Sequence, residues 1–170
     1  MRTIWSRSTG GIAVVSVLAL ALSACSSPSP STGGATGDYP SYASAEELFE
    51  SADLVVEGTV EGSRTEPIDI SEGGEAEEGL EPLEYTVYTL AVSEVFKGEA
   101  PGGALEVKHE NGGPDDLELR EGDTYVLFLA TYDDVPASLL NPDQSAYLVG
   151  GDGGLEPVGG GLEVTREDLG

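Results

Sequence analysis

Alternating apolar and polar positions dominate this chain after residue 50, and they predict short β-strands separated by glycine- and proline-marked turns. Leu54-Val55-Val56-Glu57-Gly58-Thr59-Val60 is β-branched, with Gly58 at a bulge or a close backbone approach. Between Tyr85 and Phe96, Tyr88, Leu90 and Val92 alternate with Thr89 and Ala91, which predicts one buried face. Leu105 and Val107 alternate around Glu106. Tyr125-Val126-Leu127-Phe128-Leu129 is apolar at every position, the pattern of a central strand covered on both sides. Ala146–Val149 follows, and Leu155–Val158 with Leu162–Val164 predicts a terminal hairpin. Turns are expected at Lys97-Gly98, Pro101-Gly102-Gly103 and Glu121-Gly122-Asp123, a spacing that fits a small barrel or sandwich.

One helix precedes the strands. Ser44 and Glu47 have capping-box spacing, in which hydroxyl and carboxylate satisfy exposed backbone donors at a helix start. Leu48 and Phe49 supply its apolar patch, and the element is expected to end near Ala52, covering one end of the sheet with Phe49 as a core plug.

The N-terminus follows a different pattern. Arg2 and Arg7 flank a twelve-residue apolar run, Gly11–Leu22, and no acidic residue occurs before Asp38. The run is shorter than the ~20 residues needed to span a bilayer. Leu22-Ser23-Ala24-Cys25 closes it, and this box resembles the bacterial lipoprotein signal. The resemblance implies cleavage between Ala24 and Cys25 and a diacylglyceryl group on the Cys25 Sγ, with acylation of the new amino group left open. One acyl chain holds a protein marginally at ~0.8 kcal/mol per CH₂, whereas two hold it durably. The expected organisation is a signal peptide over 1–24, then a lipidated, Ser/Pro/Gly-rich tether over 25–43. A mainly β domain follows over 44–165, carrying an acidic loop at 65–82, and a tail occupies 166–170. The stretch Ser26–Asp38 has an r.m.s. span of about 20 Å as a flexible coil.

Maturation sharpens the charge. All 32 acidic residues lie beyond Cys25 against five basic ones, a balance of −27 over the remaining 146 residues. Such a surface disfavours nucleic acid and anionic headgroups and attracts divalent cations, basic peptides or cationic polymers, while also keeping the chain hydrated. Cys25 is the only cysteine, so lipidation removes disulfide, thiolate and Cys-type zinc chemistry together. The Ala/Gly-rich, Lys-poor composition points to a high-GC Gram-positive host.

A second resemblance covers roughly Ala45 to Val158. Ser51–Val60, Tyr85–Tyr88, Val95-Phe96-Lys97-Gly98, Leu119–Asp123 and Tyr125–Leu129 resemble uncharacterised bacterial extracytoplasmic proteins with an OB-like, netrin/metalloproteinase-inhibitor-like barrel. That resemblance implies a small OB-like β-barrel of about five to seven strands with one short N-terminal helix. Its motifs are strand apolars and turn glycines, which carry fold and not activity.

Candidate chemistry is sparse. His109 is the only histidine and is expected at a strand end, bonded to a backbone group. The pairs Asp115/Asp116 and Asp133/Asp134 are adjacent in sequence and do not set the opposed carboxyls of a glycosidase. Asp115, Asp116 and Asp152, in glycine-rich loops, are candidate Ca²⁺ ligands, although neither EF-hand nor β-roll spacing is present. Tyr85 and Tyr125 are candidate ligand-binding rings, since OB folds bind through exposed aromatics. No enzyme motif and no cofactor is implied. The expected protein is a non-enzymatic binding module held by lipid on the extracytoplasmic face of the cell membrane, with an envelope protein or cations as partner. A Ca²⁺-binding structural protein of the envelope is the alternative.

Overall fold

The computed structural model describes residues 39–68, 83–112 and 117–170, all within the compact unit Gly33–Gly170. It is mainly β. Helix α1 (Ala45–Ser51) is followed by β1 (Leu54–Ile68), β2 (Leu83–Lys97), β3 (Leu105–Glu110), β4 (Thr124–Ala130), β5 (Ala137–Leu139), β6 (Ala146–Val149) and β7 (Leu155–Pro157). A 3₁₀ helix, Arg166–Leu169, closes the chain.

The seven strands form one sheet in the order β1-β2-β3-β5-β4-β6-β7, and an additional β1–β4 pairing closes a ring through five of them. Only β3 and β5 run parallel, joined at Val107↔Ala137 and Lys108↔Ser138. β1 enters the ring by curving. Its register against β2 shifts at Val55/Val56, Glu57/Gly58 and Val60/Gly62, and each bulge adds local twist. Gly58 sits at one of these shifts, where a Cβ would stand 3.0 Å from the Ala91 carbonyl oxygen. Both readings of Gly58, bulge and close approach, are therefore satisfied at one position.

The apolar run Tyr125–Leu129 of β4 divides its side chains between two cores, which is why it has no polar face. Tyr125, Leu127 and Leu129 join Leu54, Val56, Val60, Tyr88 and Leu90 on one side. Val126 and Phe128 join Val55, Leu48, Tyr147, Val164 and Leu169 on the other. Phe128 and Tyr147 meet edge to face, 5.7 Å between centroids. A smaller cluster of Ile68, Tyr85 and Val87 packs with Val135.

Helix α1 starts as expected. The Ser44 Oγ accepts from the Glu47 N–H, and the Glu47 carboxylate accepts from the Ala43 N–H. Leu48 is fully buried, Phe49 is half-buried against the second core, and Ala52 caps the end.

Five features differ from the sequence expectations. β1 continues to Ile68, so residues 65–68 of the expected acidic loop are strand; Glu66 and Arg64 form a surface ion pair there at 2.9 Å. β5 was not expected, because three residues offer too little alternation to register. The terminal hairpin does not form: β7 pairs with β6, and Leu162–Val164 runs as coil with Val164 buried in the second core. Residues 166–170 are no loose tail, since Leu169 is 1% exposed, and the expected tether ends early, since Tyr42 is buried. Tyr42 is docked by Gln144, whose Oε1 accepts from the Tyr42 N–H and whose Nε2 donates to its carbonyl. Residues 1–38, including Ala24 and Cys25, lie outside the described residues.

Candidate functional site

The connections β2–β3 and β4–β5 lie side by side and enclose an open cleft of about 550 Å³. Leu54, Leu105 and Ala137 from three strands of the ring form its buried floor. Ala100, Pro101 and Ala104 line it from one connection; Tyr132, Val135 and Pro136 line it from the other. Pro101-Gly102-Gly103 and Val135-Pro136 lack the alternation that would continue a strand, so both segments leave the sheet and stand as walls.

The rim is acidic. Glu99, Glu106, Asp133 and Asp134 all line the cleft. Glu106 is neutralised in place: Arg64 reaches it through Nη1 at 2.7 Å and Nη2 at 3.1 Å. That hydrogen bonding holds the Glu106 carboxyl below the usual glutamate value. Among the described residues, no ion pair involves Glu99, Asp133 or Asp134.

Tyr132 is the aromatic of this site and is 51% exposed. It is held from two sides. The Lys108 Nζ lies 4.4 Å from its ring centroid, and its hydroxyl shares a 3.0 Å hydrogen bond with Ser138. Lys108 itself is buried, and desolvation pushes its ammonium below the usual lysine value. One face of the Tyr132 ring is thereby occupied and its orientation set, leaving a rigid wall beside the rim.

The residues singled out from sequence fall elsewhere. Tyr85 and Tyr125 are 5% and 3% exposed, so neither presents a ring to a ligand. Each faces inward by strand alternation: Tyr125 joins the first core, where its hydroxyl accepts from the Arg120 N–H at 3.0 Å, and Tyr85 joins the Ile68 cluster. Burial, with Glu110 and the neighbouring Tyr39 and Tyr132, pushes the Tyr85 hydroxyl up to about 12. Asp152 is exposed in the β6–β7 turn, where its Oδ1 accepts from the Gly154 N–H at 3.1 Å. Asp115 and Asp116 lie outside the described residues. Among those described, no group of three or more His, Cys, Asp or Glu side chains could hold a metal ion. His109 is buried near the end of β3, one residue from the strand's last position.

Sequence reasoning passed over Tyr132, whose signal was an aromatic and two carboxylates followed by Val-Pro in a strand connection. No family model matches the chain, and no curated protein matches it. Among the described residues, no helix is long and apolar enough to cross a membrane.

Proposed function

We propose that this protein is a lipid-anchored, extracytoplasmic, non-enzymatic binding module whose ligand enters the cleft between the β2–β3 and β4–β5 connections. The observation that carries the reading is Tyr132, an exposed ring fixed by Lys108 and Ser138 beside an open cleft with an apolar floor and an acidic rim. Preorganised aromatics at a concave surface are the usual anchors of recognition, because little conformational entropy is lost on binding. The anchor belongs to the lipoprotein-like box ending at Cys25, which places the domain beyond the membrane on its tether. An OB-like assignment agrees with the five-strand ring but adds nothing to the choice of ligand.

The test uses intact cells. A photo-crosslinking amino acid replaces Tyr132, and a control places it at exposed Val158 on the β7 side. A discrete adduct from position 132 and none from 158 is the expected result; equal labelling from both removes the cleft from consideration. In parallel, Cys25→Ser protein is expected to leave the membrane fraction after a salt wash.

A further inference from the structure

We infer that the occupant of the cleft is an extended basic peptide segment carrying apolar side chains, supplied by another protein; this rests on the cleft being the binding site proposed above. Glu99, Asp133 and Asp134 rim an apolar depression without an ion-pairing partner among the described residues, whereas Glu106 beside them has Arg64. Of the other described cations, Lys97 is committed to backbone carbonyls at 2.8 Å, Arg166 to Glu57 at 2.6 Å and Lys108 to the Tyr132 ring, while Arg120 lies outside the cleft lining. The counter-charge for this rim comes from outside the domain.

The chain's own segments are poor occupants. Residues 69–82 (DISEGGEAEEGLEP) carry six carboxylates and no basic residue, and a second copy brings a net charge of −25 or below. Like charge repels both from an acidic rim. A bare divalent ion fails on a different ground, since no cluster of three or more ligating side chains exists among the described residues and Ca²⁺ takes six to eight oxygens. The floor and walls then select among cationic ligands. Leu105, Ala100, Val135 and Pro136 offer apolar contact that a polyamine or a sugar polymer does not use, whereas a peptide alternating basic and apolar residues satisfies rim and floor together. At about 550 Å³ the depression accommodates a few side chains, not a folded surface.

The full-length lipidated protein in non-ionic detergent is titrated into a fluorescein-labelled peptide, Gly-Arg-Leu-Lys-Leu-Arg-Gly, and anisotropy is read. Two comparison peptides replace either both leucines by glycine or all three basic residues by glutamate. Saturable binding of the first peptide alone is expected, weakening as salt rises. The combined Glu99→Gln, Asp133→Asn, Asp134→Asn variant is expected to weaken binding about tenfold, through three lost charge contacts at an exposed rim. An equal charge change at exposed Glu46, Glu61 and Glu94 is expected to alter it by less than about twofold, since none of them lines the cleft and exposed charges are screened. Ala104→Arg, at an exposed wall position, keeps the rim carboxylates and fills the cleft, and is expected to abolish binding. Equal loss from both triple variants, or equal affinity for the leucine-free peptide, overturns the inference. So does the absence of binding. If the peptide fails while Tyr132 still crosslinks a discrete partner in cells, the partner chemistry falls and the binding module stands.

Discussion

The Lys97 Nζ lies 5.5 Å from the Phe49 ring centroid and donates 2.8 Å hydrogen bonds to the carbonyl oxygens of both Phe49 and Glu50. Helix α1 has no basic residue in its own last turn, so a lysine 48 residues away supplies the positive charge that its C-terminus attracts. The contact ties the helix to the end of β2. Lys97→Met keeps the aliphatic stem and removes the charge and its donors. It should cost about 1.5–3 kcal/mol in urea denaturation, the range for hydrogen bonds to a charged group. Lys97→Arg should recover part of that loss.

Gly98 follows immediately and, among the described glycines, is the one that combines a positive φ with a close backbone contact. Its φ is +80°, and a Cβ there would stand 2.4 Å from the Asp53 carbonyl oxygen. Backbone conformation and contact both exclude a side chain. Gly98→Ala should destabilise by about 2–4 kcal/mol, combining left-handed strain with a clash against backbone that cannot rotate away. Gly102 has open space around it, and Gly102→Ala should change stability by less than about 0.5 kcal/mol. Paired thermal melts of the two variants check the difference.

The final helix should behave as core. Leu169→Ala removes a fully buried side chain and should cost about 2–4 kcal/mol, a cavity-forming loss. Arg166 contributes separately, through its 2.6 Å ion pair with Glu57, its donation to the Gly153 carbonyl and its position over the Phe96 ring. Arg166→Ala should cost about 1 kcal/mol, with Glu57 left partly buried and unpaired. Deletion of residues 166–170 should exceed either single change in a guanidinium titration.

Stability should fall at both extremes of pH. Burial pushes the Tyr85 and Tyr147 hydroxyls from 10.0 up to about 12, so the folded chain holds these protons more tightly than the unfolded chain. Their contribution is complete below pH 10 and is lost as pH rises towards 12. Lys108 acts oppositely, because its lowered value makes the folded chain gain stability as pH approaches 10.5. At the acid end, Arg64 lowers Glu106, and hydrogen bonds from Thr165 lower Asp168. Stability from these carboxylates is present above their ordinary values of 4.5 and 3.8 and is lost as pH falls below them. Glu106→Gln should flatten the acid limb of a melting-temperature profile, and Tyr147→Phe the alkaline one.

Much of the strand content was legible because its cause is local. Alternation in β2 and β3, unbroken apolarity in β4 and the Ser44–Glu47 cap each depend on neighbours within a few residues. Gly58 was readable for the same reason. The continuation of β1 through Gly62–Pro67 was not, since its mostly exposed residues carry no apolar period and become strand only by pairing with Glu84–Thr89. The tyrosines show the same limit at the site. Tyr85, Tyr125 and Tyr132 are alike in sequence, yet two are buried and one is exposed. Tyr85 and Tyr125 face inward from strands, whereas Tyr132 stands in the β4–β5 connection, which only the fold places at the cleft.

By itself, the sequence determined a mainly β domain of strongly negative charge, headed by a helix capped at Ser44. It also carries the lipoprotein-like box at Cys25. These follow from composition, short-range periodicity and a contiguous motif. Only the tertiary structure decided that Lys97 finishes a helix begun at Ser44, that Leu169 completes a core, and that Tyr132 and the unpaired carboxylates Glu99 and Asp133 share one cleft. Such relationships join residues dozens of positions apart. They come into existence when the β1–β4 pairing closes the strands into a ring and brings the β2–β3 and β4–β5 connections to the same end.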